Sequence, residues 1–127
     1  MGLGFVAVGI GAALGAWLRW WLGVWFNAAA PSLPLGTLIA NVIGGYLIGI
    51  AVQYFSTKSG LPPETRLFIV TGFLGGLTTF STFSAEAVGL LSRGEYGWAV
   101  AHIGSHLAGS LIATLLGIAT MRLLQAA

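Results

Sequence analysis

The chain contains no cysteine, which removes disulfides, thiolate metal sites and thiol redox chemistry at once. Charge is nearly as scarce, with five basic and three acidic side chains in 127 residues, or 6%. An ordinary soluble domain carries about 25% charged residues, so water is not the main solvent of this chain. Its formal net charge of +2 and pI of 9.5 are mildly basic, but the cations are too few and too scattered for a nucleic-acid surface. Only four prolines occur, all in the stretches PSLP and LPP at 31–34 and 61–63, so helix breakers are confined to two places. No Gly-rich phosphate loop is present, and nothing else points to work driven by a nucleotide.

What fills the chain is hydrocarbon: 57% of residues are hydrophobic and the mean hydropathy is +0.93. A membrane-crossing helix needs about 20 apolar residues, and four runs of that order occur, at 2–26, 35–55, 65–92 and 96–124. Polar segments part them, NAAAPSLP after the first and STKSGLPPE after the second, both rich in turn formers. The expected fold is an all-α membrane protein, a single domain over 1–127 with four transmembrane helices. No basic segment precedes the first run and three spans follow it, so that run is expected to remain as a helix rather than be removed as a signal. The short loops leave no room for a soluble domain.

Four such helices pack into a bundle filled by its own side chains, without a lumen, so a transport role implies an oligomer. The 20 glycines include members of small-xxx-small pairs, Gly11 with Gly15, Gly45 with Gly49 and Ser105 with Gly109, which suit close packing within a subunit or between copies. Basic residues normally mark cytoplasmic loops. With the N-terminus inside, Lys58, Arg66 and Arg122 fall on the inner side and Arg19 and Arg93 toward the outer, a balance that favours neither orientation. Two copies inserted oppositely would form an antiparallel, dual-topology homodimer.

In so apolar a chain the polar side chains carry the information. Thr37, Asn41, Gly45, Gly49 and Gln53 recur every four residues and share one face of the second helix. Asn41 lies deep in that span, where its amide either ties two helices together or turns its N–H bonds to a passing anion. His102, His106, Ser110 and Thr114 step likewise along the fourth helix as a track of donors, although a hydroxyl can instead bond the carbonyl of the preceding turn. The two histidines have the spacing of a metal-binding pair, but no third ligand follows nearby, so a metal centre is not expected there.

The third run carries GGLTTFSTFS, Gly75 to Ser84. Two glycines followed by Thr78, Thr79, Ser81 and Thr82 suit a helix that breaks mid-membrane near 75–79, with hydroxyls covering the freed backbone groups. Its upstream end would offer carbonyls to a cation, and its downstream start N–H groups and a positive dipole end to an anion. In an antiparallel dimer two breaks meet, and carbonyls of both copies could hold one cation. Beyond the break Phe80 and Phe83 share a face beside Thr79, Thr82 and Glu86. Aromatic residues at this spacing usually pack, but their positive edges can also meet an anion.

At these residues the chain resembles the Fluc (CrcB) family of small bacterial fluoride channels, through GAWLRW in the first helix, GTLIANVIGGYLIG in the second, GGLTTFSTFS in the third and GSLIATLLG in the fourth. The resemblance implies a dual-topology homodimer in the bacterial cytoplasmic (inner) membrane, with two separate anion pores and a structural sodium ion (Na+) at the dimer interface. It implies passive, fluoride-selective conduction rather than catalysis, relieving the toxicity of fluoride that enters as HF. By the same resemblance Asn41, Phe80, Phe83, Ser110 and Thr114 line the fluoride pore, Gly75 and Thr78 bind sodium through backbone carbonyls, and Arg19 attracts anions near the wide end of the path. Thr79, Ser81 and Glu86 give polar support to the broken helix, and His102 and His106 extend the polar track. His102 departs from the tyrosine or other donor that the family's pattern implies.

A small proton-coupled multidrug exporter is a rival of similar size. It depends on an acidic residue in its first helix, and this first helix has none. An intramembrane hydrolase would need a nucleophile, a base and an oxyanion hole together, and His106 and the serines form no recognisable catalytic turn. Fluoride is small and strongly hydrated, so its path must replace water with many donors, which an amide, hydroxyls and ring edges in series supply. The expected partners are therefore fluoride, the lipid bilayer and a second copy of the chain.

Overall fold

The computed structural model describes residues Met1–Ala127, and every regular element is helical. α1 spans Gly2–Phe26, continues into a 3-10 turn at Asn27–Ala29, and is followed by α2, Leu35–Thr57. The third span, Pro63–Ser92, is composite: α3 (Pro63–Arg66), a π-helical stretch Leu67–Leu74, α4 (Gly75–Leu77) and, after a gap, α5 (Ser81–Ser92). α6 covers Tyr96–Ala126. Four stretches, Gly2–Ala29, Leu35–Thr57, Pro63–Ser92 and Tyr96–Ala126, are long and apolar enough to cross a membrane. The chain is a multi-pass membrane protein.

Local chemistry sets the ends. α2 runs to Thr57, past the expected end at 55, because the Ser56 hydroxyl donates to the Gln53 carbonyl at 2.7 Å and the Thr57 hydroxyl to the Tyr54 carbonyl at 3.1 Å. These bonds add side-chain donors to the last turn, where the Tyr54 carbonyl also accepts from the Lys58 N–H at 3.1 Å. The third span begins at Pro63, where a missing N–H costs nothing in the first turn. α5 closes on Gly94, whose φ of 75° suits a residue without a side chain. The Gly94 and Glu95 amides reach back to the Leu91 and Leu90 carbonyls, at 3.0 and 2.9 Å, so the chain reverses into α6 with no long loop.

α1 packs along the π-helical stretch and α4, whereas α2 and α5 pack on α6. The third span therefore changes neighbours at its gap. Close approach depends on small residues: a Cβ on Gly15 would overlap the Phe73 carbonyl. Two of the small-residue pairs work inside one subunit, Gly11 and Gly15 against the third span and Gly45 and Gly49 against α6. Of the third, Gly109 meets Val42 of α2 while the Ser105 hydroxyl bonds its own helix at the Ala101 and His102 carbonyls. The core is slight, centred on Leu22, Ala40, Ala51, Leu74 and Leu77. Only 22 of 127 residues are buried, so most large apolar side chains need lipid or another copy to cover them.

Candidate functional site

Helical geometry lapses over residues 78–80, where Thr78 is extended (φ −87°, ψ 156°) and α5 resumes at Ser81. The sequence puts the opening near 75–79; the lapse falls at the later end of that window, since Gly75 and Gly76 are helical and the chain leaves the helix after Leu77. Gly76 serves packing instead: the Ala12 carbonyl of α1 occupies the space its Cβ would need. The helix stops where its backbone bonds are diverted. The Thr79 N–H, which a continuing helix would direct at the Gly75 carbonyl, donates to Asn41 Oδ1 at 2.8 Å. Asn41 Nδ2 in turn donates to the Thr79 carbonyl at 2.9 Å. The Thr82 N–H donates to Thr79 Oγ1 at 3.0 Å, which caps the start of α5. Arg19 Nε donates to the Gly76 carbonyl at 3.0 Å, placing a cation at the negative end of the upstream half.

Asn41 Nδ2 also meets His106 Nδ1 at 3.0 Å. Of the two roles open to Asn41 in the sequence, the structure uses the tie between helices, and both amide hydrogens are engaged. Its pairing with the Thr79 N–H and carbonyl fixes which way the amide points. His106 Nδ1 must then accept, so the neutral ring carries its proton on Nε2.

A cleft of about 480 Å³ opens at the gap, lined by Asn41, Phe80, Phe83, Ser110 and Thr114 together with Gly75, Thr78 and His106. Arg19 lies outside it, in a recess of about 300 Å³ shared with Thr37, Thr79 and Thr82. Ser81 and Glu86 border another recess of about 460 Å³, again with Thr82. Apart from the fully buried His102, the site residues singled out in the sequence fall in three adjoining recesses, joined through Thr79 and Thr82. The Thr114 hydroxyl is spent on the Gly45 and Ser110 carbonyls, at 2.9 Å each. Ser110 contributes only its carbonyl to that arrangement, leaving its hydroxyl as the available donor of the two.

Phe80 is 76% exposed and Phe83 is buried; their rings meet edge-on, centroids 5.6 Å apart at 62°. Phe83 stacks on His102 at 5.3 Å and lies 4.6 Å from His106. Both histidines are buried and pack against Phe83, and His106 also lines the cleft with Ser110 and Thr114. Glu86 Oε1 stands 3.5 Å from His102 Nε2, and Glu86 Oε2 accepts from Thr37 Oγ1 at 2.8 Å. The third group that the sequence neighbourhood of the histidines lacks thus arrives from α5. Sequence reasoning missed this meeting because it requires α2, α5 and α6 to converge; the only signal was a lone glutamate on the face next to Phe83.

The small-and-polar face of α2 is a seam. Thr37 reaches Glu86 and Asn41 reaches the gap, Gly45 and Gly49 admit the Ser110 and Thr114 backbone, and Gln53 bonds Gln125 and Arg122 at 3.1 and 3.2 Å.

A family model described as "CrcB-like protein, Camphor Resistance (CrcB)" matches residues 6–118. The chain belongs to the CrcB family. The match includes every residue just placed around the gap, from Arg19 to Thr114. Among its CrcB relatives, a Cupriavidus pinatubonensis protein is 66% identical over 122 residues, covering 96% of this chain and 97% of its own. A Nitrosospira multiformis protein is 64% identical over 123 residues, 96% of each chain, and a Cupriavidus taiwanensis protein is 63% identical over 122 residues, 96% and 97%. All three relatives bear the name fluoride-specific ion channel FluC.

Proposed function

We propose that the chain is a fluoride-selective, passive ion channel that exports fluoride from the cytoplasm, relieves fluoride toxicity and works as an antiparallel, dual-topology homodimer in the bacterial inner membrane. The observation that carries the reading onto these residues is the cleft at the gap, where the Phe80 and Phe83 rings, the Asn41 amide and the Ser110 and Thr114 hydroxyls share one surface. Their chemistry suits a small anion. Ring edges offer positive potential without a fixed counter-charge, and the Ser110 hydroxyl is ready to donate. Asn41 can release its His106 contact to a passing ion while its other N–H keeps hold of Thr79. The Thr114 hydroxyl joins the path by turning its single proton away from the Gly45 and Ser110 carbonyls. Arg19 adds positive potential beside Thr79, and the cap made by Thr79, with Ser81 next to it, holds the start of α5. Glu86 supports that helix through Thr37, and His102 and His106 back the Phe83 ring.

The gap in the third span is read as a break at bilayer depth, tolerable because it is braced by Asn41 and Arg19. The exposure of Phe80 leaves the cleft open on one side, and a second copy in opposite orientation would close it, giving two pores per dimer. A structural Na+ fits the donors at hand. The Gly75 and Thr78 carbonyls lose the amides that a continuing helix would supply, since the Thr79 and Thr82 N–H groups go to side chains. Two oxygens per copy, doubled by the partner, would hold the ion through unwound backbone; when bound it would neutralise their dipoles and pin the copies together. Replacing Na+ by a large organic cation should slow fluoride release, and unchanged release would count against these carbonyls.

The functional test is release from proteoliposomes loaded with fluoride or with chloride, followed by ion-selective electrodes without a proton gradient. Fast fluoride release with chloride retained is expected. Release that begins only when a proton gradient is imposed would favour a coupled exporter instead.

A further inference from the structure

We propose that Glu86, His102 and His106 form a binding site for a divalent transition-metal ion of the Zn2+ class. The proposal is independent of the fluoride reading. Two imidazoles and one carboxylate are a donor set suited to such ions, and they leave a fourth position for water. One ligand atom from each residue lies within 4.8 Å of the others, and Glu86 Oε1 is 3.5 Å from His102 Nε2. A tetrahedral ion with bonds of about 2.0–2.1 Å spaces its ligands about 3.4 Å apart, so the 3.5 Å pair is already at ligand spacing and the set must close by about 1.4 Å at most.

Four of the polar atoms are buried with no hydrogen-bond partner: Glu86 Oε1, His106 Nε2 and both ring nitrogens of His102. So many orphaned polar atoms at one point are rare in a folded chain, and a shared ion would satisfy three of them. The surroundings also fit. Thr37 holds Glu86 Oε2 at 2.8 Å, leaving Oε1 toward His102, as an outer-shell partner orients a ligating carboxylate. The nearest cations are committed elsewhere, Arg93 to Glu95 at 3.3 Å and Arg19 to the Gly76 carbonyl, so the carboxylate is left to balance the ion. Entry is available from two sides, because Glu86 borders one recess and His106 lines the cleft.

Binding would alter the gap. His106 Nε2 can ligate only after its proton moves to Nδ1, and an Nδ1–H can no longer accept from Asn41. The ring must then turn from Asn41, which also holds the Thr79 backbone. At His106 the proton only changes nitrogen, and one hydrogen bond is exchanged for a metal ligand.

The test uses the full chain in detergent micelles, with Co2+ as a spectroscopic probe and Zn2+ as competitor. The wild type should give visible ligand-field bands of four-coordinate Co2+, saturating at one ion per chain and erased by Zn2+. His102→Gln should weaken Zn2+ binding by at least the ~10–100-fold that outer-shell partners alone are worth. Absence of those bands in the wild type would overturn the proposal, as would unchanged Zn2+ affinity in His102→Gln. Should that variant fail to fold, Thr37→Val, which removes no ligand, should weaken binding by about 10-fold, and unchanged affinity there would overturn it equally.

Discussion

Asn41 meets the Thr79 backbone twice, accepting at 2.8 Å and donating at 2.9 Å, the pairing that a neighbouring peptide would make. An unpaired backbone N–H inside a membrane protein has no water to turn to. Asn41→Ala should therefore cost about 1–3 kcal/mol, the desolvation penalty of the stranded group, read as a lower thermal-unfolding midpoint in detergent, and it should also slow fluoride release. A variant as stable as wild type would mean that Thr79 finds another partner. That Asn41 matters was legible, because an amide deep in a hydrocarbon helix needs a reason. Its partner was not, because Thr79 lies 38 residues away and is presented only by a helix that has stopped. The same limit applied to His102 and His106, whose spacing was plain while Glu86 on α5 was hidden.

The four spans could be read from length and hydropathy alone, since each run of hydrocarbon demands its own internal backbone bonding. An opening near 75–79 could be read as well, but not which residues of that window leave the helix. The Gly75–Gly76 pair suggested flexibility, whereas Gly76 is helical and exists for the approach of α1; the opening follows from bonds made by Asn41 and Arg19, both on other helices. The π-helical stretch Leu67–Leu74 left no sequence mark either. Packing between elements makes a direct prediction. A Cβ at Gly15 overlaps the Phe73 carbonyl, whereas Gly9 has nothing within 4 Å. Gly15→Ala should destabilise by about 1–3 kcal/mol through overpacking. Gly9→Ala should be neutral or gain up to about 1 kcal/mol from helix propensity. Thermal unfolding of the two variants side by side checks this, and equal midpoints would contradict the close approach of α1 to the third span.

On the proposed reading the working unit is a dimer, because the cleft of one copy stands open beside a 76% exposed Phe80. The balanced basic residues, three on one side and two on the other, are what suggests insertion in both orientations. The absence of native cysteine makes this easy to examine. Ser59→Cys, in the exposed turn between α2 and α3, should react with a membrane-impermeant maleimide on intact cells in about half of the copies if both orientations occur. Labelling of all or none would establish one orientation and exclude the antiparallel dimer. Whether the gap exists to pass fluoride is decided most directly by comparing wild type and Phe80→Ile in fluoride-loaded proteoliposomes, with matched protein content and elution profile. Release that is fast in wild type and falls to the protein-free leak in Phe80→Ile is the expected outcome; equal release from both would contradict a path along the Phe80 and Phe83 rings.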